Sequence, residues 1–287
     1  MRLSTQISWT WRQRNLELAE NSLRELFPES LKVYGYLFNI NRRKPHNMVV
    51  ISDAWPDFNV IICKQKQQHS QDREGDFNIY SIYSRDRESL QKLLSSNGVI
   101  DWSTFTLLGG VDINHIDVVK ELCAYHNIPS KTEGIMFVLM LEDLSHLKEP
   151  ESTKGYQIGP LSVEHADLVN STWKYGGNQN SYNSVRNYIS NYPSWGVMDG
   201  SGRPVSWVLL YHHSALGLLY TLPEHRCKGY AKMLISIMAK QLYEMGYPVY
   251  CFVEEDNEVS YRLFTSLGFR HKPDYRAVWF QLNERVD

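Results

Sequence analysis

The run TLPEHRCKGYAKML, residues 221–234, combines a carboxylate, cations and small residues where a strand-like stretch turns into a helix. Arg226, Gly229 and Ala231 fit the pattern Arg/Gln-x-x-Gly-x-Gly/Ala. Small residues in such a turn let the backbone bend around a phosphate group, and the N–H groups of the following helix point at it. The run therefore predicts a pyrophosphate-binding turn. An ordinary turn before an amphipathic helix is the structural alternative.

A second motif lies downstream, in the run NEVSYRLFTSLGF, residues 257–269. Strand, phosphate turn, long helix, strand, Asn-led helix and Leu-Gly-Phe follow in the order and spacing of the GNAT superfamily of acyl-CoA-dependent N-acyltransferases. The chain resembles that superfamily, and the resemblance implies that the anion is the pyrophosphate of coenzyme A. The residues that it implies in coenzyme A binding are Leu222, Arg226, Cys227, Lys228, Gly229, Tyr230, Ala231 and Asn257.

A narrower resemblance covers almost the whole chain. The segments that carry it are SLKVYGYLFNINR (30–42), WPDFN (55–59), WKYGGNQNS (173–181), PVSWVLL (204–210) and TLPEHRCKGY (221–230). They are similar to the glycine N-acyltransferase family, and the last three resemble its glycine N-acyltransferase-like branch. The resemblance implies transfer of an acyl group from acyl-CoA to the amine of glycine or a similar small amine. Acyl-CoA is then a co-substrate, and no permanently bound cofactor is expected.

Glu224 is the candidate catalytic residue. Glycine is mostly a zwitterion, and its ammonium has no lone pair with which to attack a thioester, so a base must remove a proton. The family resemblance assigns this role to Glu224, two residues before the phosphate turn. We expect burial beside Tyr220 and Leu222 to strengthen this carboxylate as a base, or a water molecule to relay the proton. A surface carboxylate paired with Arg226 is the alternative.

Two further groups bear on the same reaction. Backbone N–H groups around Leu222 are expected to stabilise the tetrahedral oxyanion. His225 is a rival base, because imidazole titrates near neutral pH. Side chains alternate along an extended segment, so Glu224 and His225 are expected to face opposite sides, and Glu224 is favoured.

The expected proton donor to the leaving thiolate is missing. Many members of the superfamily carry a tyrosine seven residues after the Asn, where this chain has Phe264. The proton must then come from water, from substrate or from another residue such as Tyr261, whose alternative role is to pack on the helix face.

The alternatives in function are transfer to another amine, such as glutamine, a polyamine or a protein lysine, and a catalytically silent acyl-CoA-binding module.

The acceptor carboxylate is expected to need an Arg or Lys partner, and the sequence does not say which one. The run KYGGN, residues 174–178, offers Lys174 and Asn178 on a glycine-rich loop. A turn that links two helices explains the same run. His212 and His213 adjoin each other without a third ligand at metal spacing, so they predict a strand end and no metal site.

The elements that position these residues follow from hydrophobic periodicity and from Gly and Pro positions. Helices are predicted near 16–26, 85–95, 163–172, 181–191, 228–245 and 257–267. Strands are predicted at 31–40, 47–53, 58–64, 77–84, 134–141, 195–199, 204–213, 215–222, 249–255, 269–272 and 276–282. Strands alternating with helices predict an α/β (α+β layered) fold, in which helices cover a sheet.

The polar stretch 142–160, interrupted by Pro150, Gly155 and Pro160, is the predicted linker. It separates an N-terminal glycine N-acyltransferase-type α/β domain, residues 1–150, from a catalytic GNAT domain, residues 151–287. The N-terminal domain is expected to help form the acyl or acceptor pocket.

Composition narrows the class of protein. The 287 residues are 43% hydrophobic and 22% charged, with a formal charge of -2, which is typical of globular proteins and gives no basic field for nucleic acid. No apolar run reaches the length of a membrane helix. The four cysteines show no CxxC spacing, so reduced thiols are expected. A monomer is also expected. Arg2, Arg12 and Arg14 precede the first acidic residue, Glu17, which predicts a mitochondrial location, with the cytosol as the alternative.

Overall fold

The computed structural model describes residues 13–66, 78–147 and 156–284. The predicted basic leader, except for Arg14, lies outside these residues, as does the middle of the predicted linker, 148–155.

The described helices and strands agree with most of the predicted elements. The α-helices are α1 (Gln13–Arg24), α2 (Leu31–Asn41), α3 (Arg87–Leu94), α4 (Ile116–His126), α5 (Ala166–Thr172), α6 (Gln179–Asn191), α7 (Tyr230–Glu244) and α8 (Glu258–Thr265). The strands are β1 (Met48–Ser52), β2 (Val60–Gln65), β3 (Ile79–Ser84), β4 (Thr106–Asp112), β5 (Ser130–Met140), β6 (Gln157–Gly159), β7 (Ser194–Met198), β8 (Pro204–Leu210), β9 (Leu216–Thr221), β10 (Tyr250–Glu254), β11 (Arg270–His271) and β12 (Ala277–Leu282).

The chain divides into two compact units. The described residues of unit 1 are 13–66, 78–135 and 276–284, and those of unit 2 are 136–147 and 156–275. The chain passes from unit 1 to unit 2 within β5 and returns just before β12. The functional division into residues 1–150 and 151–287 stays a prediction.

Unit 1 is a sheet with helices packed on it. Its strands follow the order β1-β2-β3-β4-β12, and only β3 and β4 run parallel. Helix α3 begins after Asp86, whose side chain accepts a hydrogen bond from the Ser89 N–H at 2.8 Å. Leu90, Leu93 and Leu94 recur at helical spacing and join the core of β2, β3 and β4, so this amphipathic face holds the helix on the sheet.

The prediction of a strand at 31–40 was wrong, because these residues form α2. Leu31 to Asn39 are all buried, and α2 packs against α1, β2 and β3. A helix covered on several sides has no polar stripe, so its apolar run lacks the 3.6-residue period. The Val, Tyr and Phe residues in the run then favour a strand locally, and tertiary packing overrides that preference.

Unit 2 contains the sheet that carries the candidate site. From Met136 onward β5 pairs with β10, and the order continues β10-β9-β8-β7-β6. The pairs are antiparallel except for β9 and β10, which run parallel. The parallel pair is connected by α7, as a crossover helix must do between parallel strands.

Strand β9 carries a bulge. The pairing of β8 with β9 shifts register between Trp207 and Leu209, and Leu218 has a φ of 50°. A bulge bends the strand and increases its twist. Beyond it, Trp207 is fully buried and stacks on Tyr220 with ring centroids 5.5 Å apart, so packing holds the bent end of β9 in place.

Helix α7 ends as its glycine predicts. Gly246 has a φ of 75° and donates its N–H to the Tyr243 carbonyl at 3.0 Å, while Tyr247 N–H donates to the Leu242 carbonyl at 2.9 Å. These two bonds form a Schellman motif, which satisfies carbonyls at the end of the helix.

Gly217→Ala tests the close packing on β9. A Cβ added at Gly217 would lie 1.9 Å from the Tyr211 ring, whereas one added at Gly200 would meet no atom within 4 Å. We expect Gly217→Ala to lower the free energy of unfolding by about 1–3 kcal/mol, as overpacking does. Gly200→Ala is the control and should change it by less than about 0.5 kcal/mol. Urea unfolding followed by tryptophan fluorescence measures both, and equal midpoints would contradict the tight contact.

Candidate functional site

The two parallel strands of unit 2 separate toward their carboxyl ends. Within the described residues, β9 and β10 are paired at one position, Cys251 opposite Leu216. Beyond that pair β9 continues to Thr221 and β10 to Glu254. Each strand is followed by the start of a helix, α7 after β9 and α8 after β10. The facing strand edges and two helix N-termini therefore meet at one end of this sheet, where ligands bind in open α/β sheets.

The backbone of β9 presents alternate N–H groups to this opening. Leu222 N–H donates to the Val205 carbonyl on the β8 side at 2.9 Å. Leu222 N–H itself is therefore engaged with β8, and the expectation that backbone N–H groups around Leu222 stabilise an oxyanion stays a prediction. Successive backbone groups of a strand point to opposite edges, so Thr221 faces the β10 side. Its carbonyl accepts a hydrogen bond from Arg226 Nε at 3.1 Å.

Glu224 and His225 lie in a 3₁₀ turn, Pro223–His225, and not in an extended segment. The expectation that they face opposite sides is therefore wrong. Glu224 Oε1 lies 4.0 Å from His225 Nε2, and the Glu224 side chain is 62% exposed. Tyr220 and Leu222 do not bury this carboxylate, and Arg226 bonds to Thr221 in place of Glu224. Glu224 is thus an exposed carboxylate beside an imidazole.

The predicted phosphate turn has the geometry of an anion site. Gly229 has a φ of 79°, which favours glycine, and a Cβ there would meet no atom within 4 Å. Gly229 is the N-cap residue of α7 and provides no side-chain cap, so the first N–H groups of the helix lack that partner. Cys227, with a φ of 60°, and Lys228 are exposed in the same turn. Backbone donors and cations are thus accessible together.

One aromatic residue supports the turn from its side. The Tyr156 ring lies 5.4 Å from the Tyr230 ring and 5.9 Å from the Lys228 ammonium, and its hydroxyl is 3.5 Å from His225 Nδ1. Burial raises the pKa of Tyr230, and the charge and hydrogen bonding of Tyr156 raise it further. Tyr156 therefore contacts three residues of the turn, a role that the sequence pattern does not indicate.

Asn257 begins α8 as predicted. Its side-chain oxygen accepts a hydrogen bond from Ser260 N–H at 3.0 Å, so the oxygen caps the helix and the amide nitrogen stays exposed. Phe264 is buried and packs edge-on against Phe269, with centroids 5.1 Å apart. Tyr261 packs on Phe137, and its hydroxyl lies 3.2 Å from His271 Nδ1. Tyr261 is thus both packed on the helix face and bonded to a histidine.

A salt bridge that the sequence pattern did not indicate lies at the end of β10. The Lys174 ammonium contacts both carboxylate oxygens of Glu254, at 2.7 and 2.6 Å, and the Tyr175 hydroxyl donates to the same carboxylate. Burial alone raises the pKa of Glu254, but the hydrogen bonds from Lys174 and Tyr175 outweigh it and hold the pKa below its ordinary value. The hydrogen bond to Glu254 raises the pKa of Lys174. Both groups are therefore charged at neutral pH.

The other candidate for the acceptor carboxylate has a structural role. Asn178 caps α6, accepting a hydrogen bond from Ser181 N–H at 2.9 Å. His212 and His213 lie in the turn after β8, which ends at Leu210 and not at residue 213 as predicted. Among the described residues, no group of three or more His, Cys, Asp or Glu side chains could hold a metal ion.

No helix in the described part of the chain is long and apolar enough to cross a membrane. The four cysteines are free, and of these Cys227 is exposed.

Two family models match the chain. One, described as aralkyl acyl-CoA:amino acid N-acyltransferase, matches residues 10–193, and one described as FR47-like protein matches residues 194–279. The sequence is 31% identical over 285 residues to the glycine N-acyltransferase of Homo sapiens, covering 93% of this chain and 95% of that protein. It is 32% identical over 286 residues to the glycine N-acyltransferase-like protein Keg1 of Rattus norvegicus, covering 93% and 96%.

The fold is similar to that of a solved GCN5-related N-acetyltransferase from Kribbella flavida. The TM-score is 0.56 at 14% identity, and the match covers 90% of this chain and 95% of that chain. At this identity the likeness shows the fold alone, and it confirms the predicted α/β GNAT fold.

Proposed function

Because the chain belongs to the aralkyl acyl-CoA:amino acid N-acyltransferase family and is thus an acyltransferase, we propose that it transfers an acyl group from acyl-CoA to the amine of glycine. The products are an N-acylglycine and free CoA. One observation carries the proposal for the site. The N-terminus of α7 has no side-chain cap at Gly229, and it follows, after one turn, the end of β9 that is not paired with β10.

The phosphate turn is the proposed pyrophosphate site. The first N–H groups of α7 and the cations Arg226 and Lys228 supply hydrogen bonds and positive charge. Tyr230 and Ala231 begin the helix, and Cys227 shapes the turn through its positive φ. The anion therefore binds mainly to backbone, which explains why a glycine is needed at the N-cap.

The acyl thioester is proposed to lie between the ends of β9 and β10. The amide groups of the coenzyme A arm can then pair with the open strand edges beyond Leu216 and Cys251. Leu222 supplies a buried apolar side chain at the end of β9, and Asn257 offers its amide nitrogen at the start of α8.

Glu224 is the proposed general base of a direct transfer. It takes a proton from the glycine ammonium, and the freed lone pair attacks the carbonyl carbon of the thioester. A C–N bond forms, the C–S bond breaks, and the nitrogen loses its second proton to solvent as the sulfur leaves as thiolate. The thiolate is protonated by solvent, since Phe264 has no hydroxyl and Tyr261 is bonded to His271. One proton is released for each acyl group transferred.

His225 supports Glu224 in this proposal. Its imidazole lies between the Glu224 carboxylate and the Tyr156 hydroxyl, and its side chain is only 19% exposed. A ring held in this way limits the directions in which the exposed carboxylate can turn. Location in the mitochondrion and a monomeric state stay predictions from the sequence.

An acceptor screen tests the proposed function. Purified protein is incubated with short, medium, long and aromatic acyl-CoAs and with glycine, glutamine, a polyamine or a lysine peptide, and products are identified by mass. We expect N-acylglycine with at least one acyl-CoA. Conjugation of another amine without glycine would reject glycine as the acceptor. Thermal stabilisation by CoA without any product would favour a silent binding module.

Glu224→Gln tests the base. We expect turnover at neutral pH to fall by about 100-fold or more, because general base catalysis is lost while the turn stays intact. The rate should recover as pH rises and supplies free amine. Glu244→Gln, at the exposed carboxyl end of α7, is the matched control. Unchanged turnover of Glu224→Gln at pH 7, measured by thiol release, would remove Glu224 from the mechanism.

Gly229→Val tests the phosphate turn. A β-branched residue is strained at a φ of 79°, and the shifted turn should weaken CoA binding by about 10-fold or more. Gly246→Val, at the other end of α7, is the control, because Gly246 has a φ of 75° and equally open surroundings. We expect similar losses of stability in both variants, and weaker CoA binding by calorimetry only in Gly229→Val. Equal CoA affinities would count against the turn as the binding site.

A further inference from the structure

The Lys174–Tyr175–Glu254 cluster joins a loop to a strand end. Lys174 and Tyr175 belong to the loop between α5 and α6, and Glu254 is the last residue of β10. The Glu254 side chain is 21% exposed and that of Lys174 is 66% exposed. The pair is therefore accessible on its Lys174 side and sheltered on its Glu254 side.

The cluster lies on one defined face of the sheet. Phe252, two residues before Glu254, packs on the His213 ring at 5.9 Å, and His213 stacks on Tyr211, which contacts Tyr188 of α6. Val253 pairs opposite Phe137, which packs on Tyr261 of α8. Because side chains alternate along a strand, Glu254 shares the α6 face with Phe252 and points away from α8.

Its position along β10 places the cluster beside the opening between the strands. Glu254 lies three residues after Cys251, the point at which β10 is paired with β9. A small molecule bound at Glu254 from the α6 face would therefore adjoin the place proposed for the thioester.

The loop that carries the cation is held in one conformation. A Cβ at Gly176 would lie 2.1 Å from the Asn170 carbonyl, and Gly177 N–H donates to Asn170 Oδ1 at 3.3 Å. Asn178 caps α6, and the Trp173 ring contacts those of Tyr175 and Tyr211. A loop fixed at both ends presents Lys174 with little entropy to lose on binding.

The hydrogen-bonding capacity of the cluster is nearly but not fully used. An ammonium has three N–H donors, and Lys174 gives two contacts to Glu254 while the same ammonium also interacts with Tyr175. A carboxylate has about four acceptor positions, and Glu254 uses three, with Lys174 and Tyr175. One acceptor position on the anion remains, next to an ammonium that is largely exposed.

That pair of opposite charges is complementary to an amino-acid zwitterion. We propose that the cluster is the acceptor site, in which Lys174 binds the carboxylate of the acceptor and Glu254 accepts a hydrogen bond from its ammonium. Every charge stays paired when the zwitterion binds. The binding of the acceptor therefore leaves no buried ion without a partner, which would cost free energy. The inference rests on the proposed function in that the acceptor is a small amino acid, and it makes Lys174 and Glu254 acceptor-binding residues.

Lys174→Met tests the site through acceptor selectivity. Loss of a charged hydrogen bond should raise KM for glycine by about 10- to 100-fold and leave KM for acyl-CoA unchanged. Wild type should prefer glycine to glycinamide, which lacks the carboxylate, and the variant should lose that preference. Glu254→Gln should raise KM for both acceptors, because both carry the amine.

Lys131→Met is the matched control. Lys131 is 63% exposed and lies 2.8 Å from Glu133, a salt bridge of the same type in unit 1. We expect it to keep the acceptor preference of wild type. Ligand-observed NMR of glycine with the CoA-bound protein gives a second readout that does not require turnover, and Lys174→Met should abolish that signal.

The outcomes separate the two proposals. If wild type conjugates glycine and Lys174→Met keeps its KM and its preference over glycinamide, the acceptor site is wrong and the proposed function stands. If wild type forms no N-acylglycine, the proposed function is wrong, and the NMR signal of glycine tests the acceptor site by itself. Glycine that binds wild type and not Lys174→Met supports the site. Glycine that does not bind wild type, or that binds both proteins equally, overturns the site.

Discussion

The pairing of two parallel strands at one position is the constraint on which the site depends. β9 and β10 meet at Leu216 and Cys251, and a bulge at Leu218 bends β9 beyond that point. Backbone N–H and C=O groups must be paired or accessible to solvent or ligand. Separation of the strand ends therefore creates two edges that are ready to bind an extended chain, and the stacking of Trp207 on Tyr220 keeps the bent end of β9 in place.

Each strand end leads toward the start of a helix, and this arrangement can place local positive charge on a chain whose formal net charge is negative. β9 leads through a 3₁₀ turn to the uncapped start of α7, and β10 ends at Glu254 just before α8. The formal charge of the chain is -2, so attraction of an anion arises from local N–H groups and two cations of the turn. A helix dipole acts within its first turn, which is where the proposed pyrophosphate site lies.

The two carboxylates near the opening have different environments and so suit different roles. Glu224 is 62% exposed beside His225, whereas Glu254 is largely sheltered and bonded to Lys174 and Tyr175. Those bonds keep Glu254 charged and make it a poor proton acceptor, but a good partner for an ammonium. The difference lies in the environment of the two carboxylates and not in the residue type.

Much of this protein could be predicted from the sequence because the features are local. Gly229 and Gly246 have positive φ at the two ends of α7, Asn257 caps α8, and strands that alternate with helices indicate the α/β fold. Three further features of the structure were decided by the tertiary structure alone. Residues 31–41 form a helix because other elements cover them on several sides, Leu222 N–H is used by Val205 of β8, and Lys174 meets Glu254 across 80 residues of sequence. Local patterns record backbone preference and periodicity, whereas burial, strand pairing and long-range ion pairs depend on what the fold places beside each residue.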